Sequence, residues 1–215
     1  MQGQPAHPAA RAGRAGRPGG DAVGLRRHRQ PGRRRSRRVI RAATAAGEFR
    51  LRPVRPADLP LITDWMNDPA VAAFWELAGP AELTERHVGA QLEGDGRSVP
   101  YLGLLDGAPM SYWEVYAAAH DRLAGYYPAR PDDTGLHLLL GPPETRGRGL
   151  GSVLLDAVTE ELLRRGPRVV AEPDVRNTAS VRAFRRAGFT ETGELHLPEK
   201  RAALMIRDRP TARSS

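Results

Sequence analysis

The sequence predicts an α/β fold built on a mixed sheet with flanking helices. Two observations lead to this prediction. Short alternating segments fill the first half of the domain, and two of them are joined by the tight turn Asp106-Gly107. An apolar strand at 134–140 then leads through a glycine-rich turn into an amphipathic helix, and a strand, a helix and two strands follow. This order of elements favours one domain in the second part of the chain.

Periodicity and turn residues predict each element in order. Alternating side chains indicate strands, and apolar stripes bounded by Asp, Pro or Gly indicate helices. The predicted strands are 49–54, 99–105, 110–116, 134–140, 168–172, 189–196 and 201–207. The predicted helices are 58–66, 80–92, 149–165 and 177–187. A long loop at 117–132 carries Tyr126 and Tyr127, and long loops in compact domains are often functional.

The basic character of the chain belongs to its first 47 residues. The 215 residues carry a formal net charge of +8. Residues 1–47 hold twelve Arg and one acid, whereas 48–215 hold twenty Arg, Lys200 and twenty-four acids. The first segment has too few large apolar side chains to offset its ordering entropy. We therefore predict a disordered Arg/Gly/Pro-rich tail at 1–47, a folded domain at 48–209 and a disordered C-terminus at 210–215.

Composition also excludes several classes of site and partner. The chain has no cysteine, which rules out disulfides, thiolate zinc sites and cysteine nucleophiles. No apolar run approaches the roughly 18 residues that span a bilayer, and no secretory signal is visible. We expect a cytoplasmic protein, a monomer or dimer, with no metal and no membrane partner. The arginine run 33–38 could bind a polyanion such as a nucleic acid, but we do not expect a nucleic-acid partner because the folded domain itself is acidic.

The most informative stretch is Arg146-Gly147-Arg148-Gly149-Leu150-Gly151, between a predicted strand and a predicted helix. Three glycines let the backbone approach a ligand and direct unpaired N–H groups at it. A helix N-terminus favours anions, so a pyrophosphate is the expected occupant, and a tight surface turn is the alternative. No Gly-Lys-Ser/Thr follows, as a Walker loop would require, and the glycine spacing differs from the dinucleotide fingerprint.

A second stretch, Asn177 to Phe189, follows the next strand and contains Asn177, Ser180, Phe184 and Gly188. Together the two stretches resemble motifs A and B of the GNAT superfamily of acetyl-coenzyme A-dependent N-acyltransferases. The resemblance covers about 48–207. It implies the GNAT fold, a mostly antiparallel sheet whose two central parallel strands splay apart, and it implies acetyl-coenzyme A or another acyl-coenzyme A as co-substrate.

The resemblance also implies where the co-substrate binds. Its pantetheine arm would lie between strands 134–140 and 168–172 and pair with Leu138, Leu139 and Leu140. Its pyrophosphate would meet the amides of 146–151, and Asn177 and Ser180 would contact the arm. Phe184 would border it too, but many relatives have a Tyr there that protonates the departing thiolate. Phe184 cannot, so another group or water must do so, or the thiolate leaves unprotonated.

His137 and Asp174 are the candidate catalytic residues. His137 lies mid-strand beside the expected cofactor and could remove a proton from the acceptor or hydrogen-bond it; a core histidine is the alternative. Asp174 could accept the proton or orient His137, or it could serve the start of the next helix. Glu172 is a weaker alternative for the same role.

Further segments narrow the resemblance to the siderophore-biosynthesis branch, which includes hydroxylysine acetyltransferases and lysine N-acyltransferases. They are 65–69 with 74–76, 111–116 and 135–142. In that branch a strand His binds the acceptor and an Asp before motif B accepts the proton, which implies these roles for His137 and Asp174. The expected substrate is a small amine or hydroxylamine of a lysine- or ornithine-like molecule. Candidates for the acceptor pocket are Trp75, Trp113, Glu114 and Tyr126, with burial in the core or on a solvated strand face as the alternative.

Three other readings remain open. The segment before the hairpin also resembles aminoglycoside N-acetyltransferases. A non-catalytic coenzyme A-binding module would share both motifs but turn over no amine. A nucleic-acid binder acting through the arginine tail would show salt-dependent DNA retention that is lost when residues 1–47 are removed.

Overall fold

A computed structural model describes residues 38–94 and 98–210 of the protein. Within them, eight strands form one sheet in the order β1-β2-β3-β4-β5-β6-β8-β7. The strands are β1 (Ile40–Thr44), β2 (Gly47–Pro53), β3 (Ser98–Leu105), β4 (Ala108–Ala117), β5 (Asp133–Leu140), β6 (Arg168–Ala171), β7 (Thr190–His196) and β8 (Arg201–Asp208). The helices are α1 (Leu59–Met66), α2 (Pro69–Ala72), α3 (Ala81–Glu93), α4 (Leu150–Leu163) and α5 (Thr178–Arg186).

Every predicted strand and helix is present, and its ends differ from the prediction by at most two residues. The predicted loop at 117–132 contains two short 3-10 helices, Ala118–His120 and Arg122–Gly125. In the described part of the chain, no helix has both the length and the apolar character that a membrane span requires.

The predicted boundary of the disordered tail is wrong, because residues 40–44 form strand β1. This strand pairs antiparallel with β2, and its Ile40 side chain is buried in the core. The hairpin closes at Gly47, whose φ of +132° favours glycine and where a Cβ would lie 2.4 Å from the Asp106 carboxylate. The predicted disorder of 1–37 and of 211–215 lies outside the described residues.

Helices cover both faces of the sheet. Trp113 and Leu138 pack with α4 and α5, whereas their neighbours Tyr112 and Leu139 pack with α1 and α3. Successive strand residues point to opposite faces, so the alternation in β4 and β5 builds two cores at once. The predicted division of the 134–140 strand into two faces is confirmed.

The central feature is the parallel pair β5–β6. Its ladder begins at Asp133↔Arg168 and ends at Gly135↔Val170, and all other strand pairs in the described sheet are antiparallel. Beyond Gly135, strand β5 runs on to Leu140 without a β6 partner. The predicted mixed sheet with splayed parallel central strands is confirmed, and the splay leaves one backbone edge of β5 available to a ligand.

Candidate active site

Two cavities meet beside the splayed strands. The glycine-loop cavity, bounded by Arg146, Gly147 and 149–151, has a volume of about 380 Å³. The histidine cavity, which contains His137, has a volume of about 400 Å³. They share one wall, formed by Phe74, Trp75, Leu138, Asn177, Ser180 and Phe184. A group bound at this wall can be reached from both sides, as a two-substrate transfer reaction requires.

The glycine-loop cavity collects most of the residues predicted to contact a coenzyme. Gly147 and Gly149 adopt φ values of +73° and +78°, and a Cβ on either would meet no atom within 4 Å. Glycine is therefore needed for the backbone turn rather than to avoid a neighbouring side chain. Gly149 precedes the first residue of α4, whose N-terminal N–H groups favour an anion. The predicted residues that line this cavity are Leu138, Leu139, Leu140, Arg146, Gly147, Gly149, Leu150, Gly151, Asn177, Ser180 and Phe184.

The two arginines of this loop differ in position. The Arg146 guanidinium donates to the Leu140 carbonyl at 3.0 Å, to the Gly141 carbonyl and to the Asp68 carboxylate at 2.8 Å. Arg146 thus ties the loop to the end of β5 and to the start of α2. Arg148 was predicted to contact the coenzyme as well, but it is exposed and is not among the residues that line either cavity.

Helix α5 supplies the opposite side of the shared wall. Asn177 caps the helix, because its Oδ1 accepts from the Ser180 backbone N–H at 3.0 Å. Phe184 is buried edge-on against Phe189, with ring centroids 5.0 Å apart. Phe184 lines both cavities and brings no hydroxyl to the wall.

In the histidine cavity, the register of the sheet places His137 beside an acid. Strands β4 and β5 pair Glu114 directly with His137, so both side chains leave the same face. Glu114 Oε2 lies 3.2 Å from His137 Nδ1, and on the other side Glu172 Oε1 lies 2.7 Å from His137 Nε2. Glu172 follows the last residue of β6. The histidine is therefore held between two carboxylates.

The carboxylate of Glu114 has further partners. Its Oε1 accepts from Tyr112 at 2.8 Å and from Gln91 at 2.7 Å, and His87 Nε2 lies 2.6 Å away. With His137 on Oε2, four side chains already surround this buried acid. Glu114, a candidate for the acceptor pocket, does line the cavity, but the protein's own donors occupy its oxygens.

The Glu172 carboxylate is held from a second side. The Tyr116 hydroxyl donates to its Oε2 at 2.9 Å, and Lys200 Nζ lies 3.7 Å from its Oε1. Tyr116 fits because the residue paired with it across the strands is Gly135, where a Cβ would lie 2.1 Å from the tyrosine ring. This glycine thus makes room for the ring that holds Glu172.

The two acids decide the charge of His137. Burial alone would lower the pKa of His137, but Glu172 and Glu114 outweigh it and raise the pKa to about 10. Burial would raise the pKa of Glu172, yet His137, Lys200 and the Tyr116 hydroxyl lower it to about 2. For Glu114, burial is likewise outweighed by His137 and His87, and the pKa is lowered. At neutral pH the arrangement is an imidazolium between two carboxylates.

Asp174 lies in the same cavity but has a different partner. Its carboxylate accepts from the Arg176 guanidinium at 2.7 Å and from the Arg176 backbone N–H at 2.7 Å. That guanidinium lowers the pKa of Asp174. Asp174 forms an isolated bridge with Ala202 of β8, and the acid of the segment after β6 that contacts His137 is Glu172. The predicted orienting role of Asp174 is therefore filled by Glu172.

Of the aromatic residues predicted for the acceptor pocket, one lines the cavities and two do not. Trp75 lines both cavities, and its ring centroid lies 6.1 Å from that of His137. Trp113 does not: it is fully buried on the other face, and its indole N–H donates to Ser111 Oγ at 2.8 Å. Tyr126 is 41% exposed and lines neither cavity. The prediction was wrong for these two, because strand alternation sends Trp113 away from Glu114 and the loop turns Tyr126 outward.

Among the side chains that hold Glu114 and Glu172, His87, Tyr116 and Lys200 were not predicted from sequence. Tyr116 had a usable signal, because it shares its strand face with Tyr112 and Glu114 at a spacing of two. His87 comes from α3 and Lys200 from the turn between β7 and β8. No local pattern connects those two to a residue of β5.

Known proteins resemble this chain over the region just described. The sequence profile of the acetyltransferase (GNAT) domain matches residues 55–197. Lysine N-acyltransferase MbtK of Mycolicibacterium paratuberculosis is 39% identical over 166 residues, which are 76% of this chain and 75% of that protein. The N(6)-hydroxylysine O-acetyltransferase of Escherichia coli is 36% identical over 156 residues, 71% of this chain and 49% of that protein.

A solved structure agrees with these sequence matches. The crystal structure of an uncharacterized protein from Bacillus halodurans superposes with a TM-score of 0.76 at 32% identity, covering 80% of this chain and 91% of that one. The family profile, which matches residues 55–197, spans the splayed strands, the glycine loop and α5. The fold and family predicted from the two motifs are confirmed: the chain belongs to the GNAT acetyltransferase family.

Proposed function

We propose that this protein is an acyl-coenzyme A-dependent N-acyltransferase of siderophore biosynthesis. It moves an acetyl or longer acyl group to an amine or hydroxylamine of a lysine- or ornithine-like acceptor. The observation that carries this proposal is the shared wall, where a cavity suited to a coenzyme meets a cavity containing a charged histidine. The names of the two relatives, which act on lysine and on hydroxylysine, support the acceptor class.

The residues present fit an acyl-coenzyme A. The unpaired edge of β5 at 138–140 offers backbone groups to an extended pantetheine arm, and the glycine loop before α4 suits its pyrophosphate. When bound, the thioester supplies the activated acyl group. Its carbonyl would then lie near Leu138 and Phe184, which line both cavities.

We assign His137 and Asp174 to the acceptor side. His137 is cationic and both of its N–H groups face glutamates, so it acts through its positive charge, which favours the oxygen that becomes negative, and not as a base. The proton released when the nitrogen is acylated goes to a carboxylate, for which Asp174 is the candidate that does not contact His137. Glu172 is then a positioning residue that fixes the charge and orientation of the imidazole.

A thiol-release assay tests the proposal. Acetyl-coenzyme A is incubated with the full chain and, separately, with L-lysine, N6-hydroxylysine, ornithine, N5-hydroxyornithine, putrescine and kanamycin. We expect thiol release that depends on a diamino or N-hydroxylated acceptor. Turnover of kanamycin alone would instead favour an aminoglycoside acetyltransferase, and binding of the thioester without release for any acceptor would favour a coenzyme A-binding module.

The same assay tests the two catalytic assignments. Removing a group that acts in proton transfer or orientation typically costs about 10²–10⁴ in rate. We expect His137→Ala and Asp174→Asn each to lower kcat in this range while acetyl-coenzyme A binding, measured by calorimetry, changes less than threefold. A variant with near-normal kcat would remove that residue from the catalytic assignment.

A further inference from the structure

We propose that Lys200 forms a subsite for the α-carboxylate of the acceptor and so selects diamino acids over diamines. The proposal rests on the proposed function, and it adds a determinant of specificity in the histidine cavity. Lys200 is the single lysine of the chain, and it lies in the turn before β8 with its side chain 21% exposed.

The other positively charged side chains of this cavity already pair with carboxylates. Arg122 makes a two-point pair with Glu199, and Arg176 makes one with Asp174. The imidazolium of His137 is held between two glutamates. Each of these groups would have to give up a carboxylate of the protein before it could bind one from a ligand.

Lys200 differs in this respect. Its ammonium lies 3.7 Å from Glu172 Oε1, which is longer than a hydrogen bond, and its charge also acts on the carboxylates of Asp174 and Glu199. Glu172 Oε1 is also 2.7 Å from His137 Nε2, so Lys200 shares this carboxylate with a closer cation. An ammonium has three donors and is a compact charge, so Lys200 retains donors for a ligand carboxylate.

The position of Lys200 suits the far end of an acceptor. Lys200 lines the histidine cavity and is not among the residues of the glycine-loop cavity. The nitrogen that is acylated must reach the shared wall, where Leu138 and Phe184 border both cavities. Lys200 lies off the shared wall, and this position suits the portion of the acceptor away from the reacting nitrogen, which in a diamino acid carries the α-carboxylate.

The test compares L-lysine with cadaverine, which is lysine without its carboxylate. We measure kcat/KM for both in the full-length protein and in Lys200→Met, Lys200→Arg and Arg122→Met. The lysine-to-cadaverine ratio is expected to fall at least tenfold in Lys200→Met and less than threefold in Lys200→Arg, which keeps the charge. Arg122→Met removes one positive charge from the same cavity and is expected to change the ratio less than threefold.

An unchanged ratio in Lys200→Met would overturn the proposal, and so would an equal fall in Arg122→Met, because the general charge of the cavity would then decide. If the wild-type protein acylates neither compound, the proposed acceptor class fails. The subsite is then tested separately, by measuring the binding of L-lysine and of cadaverine with calorimetry. Tighter binding of L-lysine than of cadaverine that is lost in Lys200→Met supports the subsite, and equal binding overturns it. Lys200→Gln replaces Lys200→Met if thermal melting shows that the methionine variant does not fold.

Discussion

Replacing Glu172 by Gln should lower the pKa of His137, so that the imidazolium loses its proton at a lower pH. Glu172 Oε1 lies 2.7 Å from His137 Nε2, and its charge is the strongest of the contributions that raise the pKa of this histidine. Glutamine keeps nearly the same shape and can still hydrogen-bond Tyr116, but it carries no charge. The variant therefore removes the electrostatic contribution while the packing at the end of β6 is retained.

The size of the effect follows from the geometry. An opposite charge within about 4–6 Å shifts a pKa by roughly 1–3, and in the wild type the pKa of His137 is raised from 6.5 to about 10. If the pKa falls by about 2, the protonated fraction at pH 9 drops from about nine-tenths to about one-tenth. Glu114 remains beside Nδ1, so the pKa of His137 should stay above 6.5.

Histidine-selective NMR measures this directly, since each imidazole is titrated by its own resonance and the chain has six histidines. Glu199→Gln is the matched control, because Glu199 lines the same cavity but pairs with Arg122. We expect the pKa of His137 to fall in Glu172→Gln and to stay within about 0.3 of wild type in the control. If the two variants leave His137 with the same pKa, or if wild-type His137 titrates near 6.5, the description of an imidazolium held by two acids is wrong.

Three other predictions concern the coenzyme loop, a buried ion pair and pH. Gly149→Ala should destabilise the protein by about 1–2 kcal/mol and weaken acetyl-coenzyme A binding several-fold, whereas Gly107→Ala, at φ +86° on a distant hairpin, should strain the backbone without changing that binding. Arg168→Met should lower the free energy of unfolding in urea by about 3–5 kcal/mol, because it removes the guanidinium whose charge compensates the buried Asp133 carboxylate. A comparable loss in Arg185→Met, whose partner Glu191 is exposed, would contradict this. The pKa values of Glu172 and Asp174 are lowered, so both are weak bases and the acceptor must supply its own neutral nitrogen. The rate with N6-hydroxylysine relative to lysine should therefore fall between pH 6.5 and 9, as more of the lysine amine becomes neutral. A pH-independent ratio would show that the protein removes the proton of the lysine ammonium efficiently.

The raised pKa of His137 also links folding to pH. The folded pKa of about 10 lies above the unfolded value of 6.5, so the folded state binds the proton more tightly. The resulting stabilisation is complete below pH 6.5 and is lost as the pH rises towards 10. Glu172 acts in the opposite range, since its pKa is lowered from 4.5 to about 2 and its stabilisation is lost as the pH falls through that interval.

The sequence by itself determined the fold, the family and most residues of the glycine-loop cavity, which we propose as the coenzyme site. The reason is that these signals are local: a strand alternates over a few residues, and each of the two motifs is contiguous, so Gly147, Gly149, Asn177 and Ser180 were found without any knowledge of packing. Strand β1 was missed because its local signal is weak. It is a short strand beside an arginine-rich stretch, and it is stabilised by its hairpin with β2.

Only the tertiary structure decided which side chains meet His137. Its partners Glu114 and Glu172 lie 23 and 35 residues away in the chain, and they come together through strand register and through the splay of β5 from β6. Trp113 and Glu114, by contrast, could have been separated from the sequence, because one residue along a strand reverses the face. The charge of the histidine likewise depends on burial and on neighbours, which are properties of three-dimensional packing and not of local sequence.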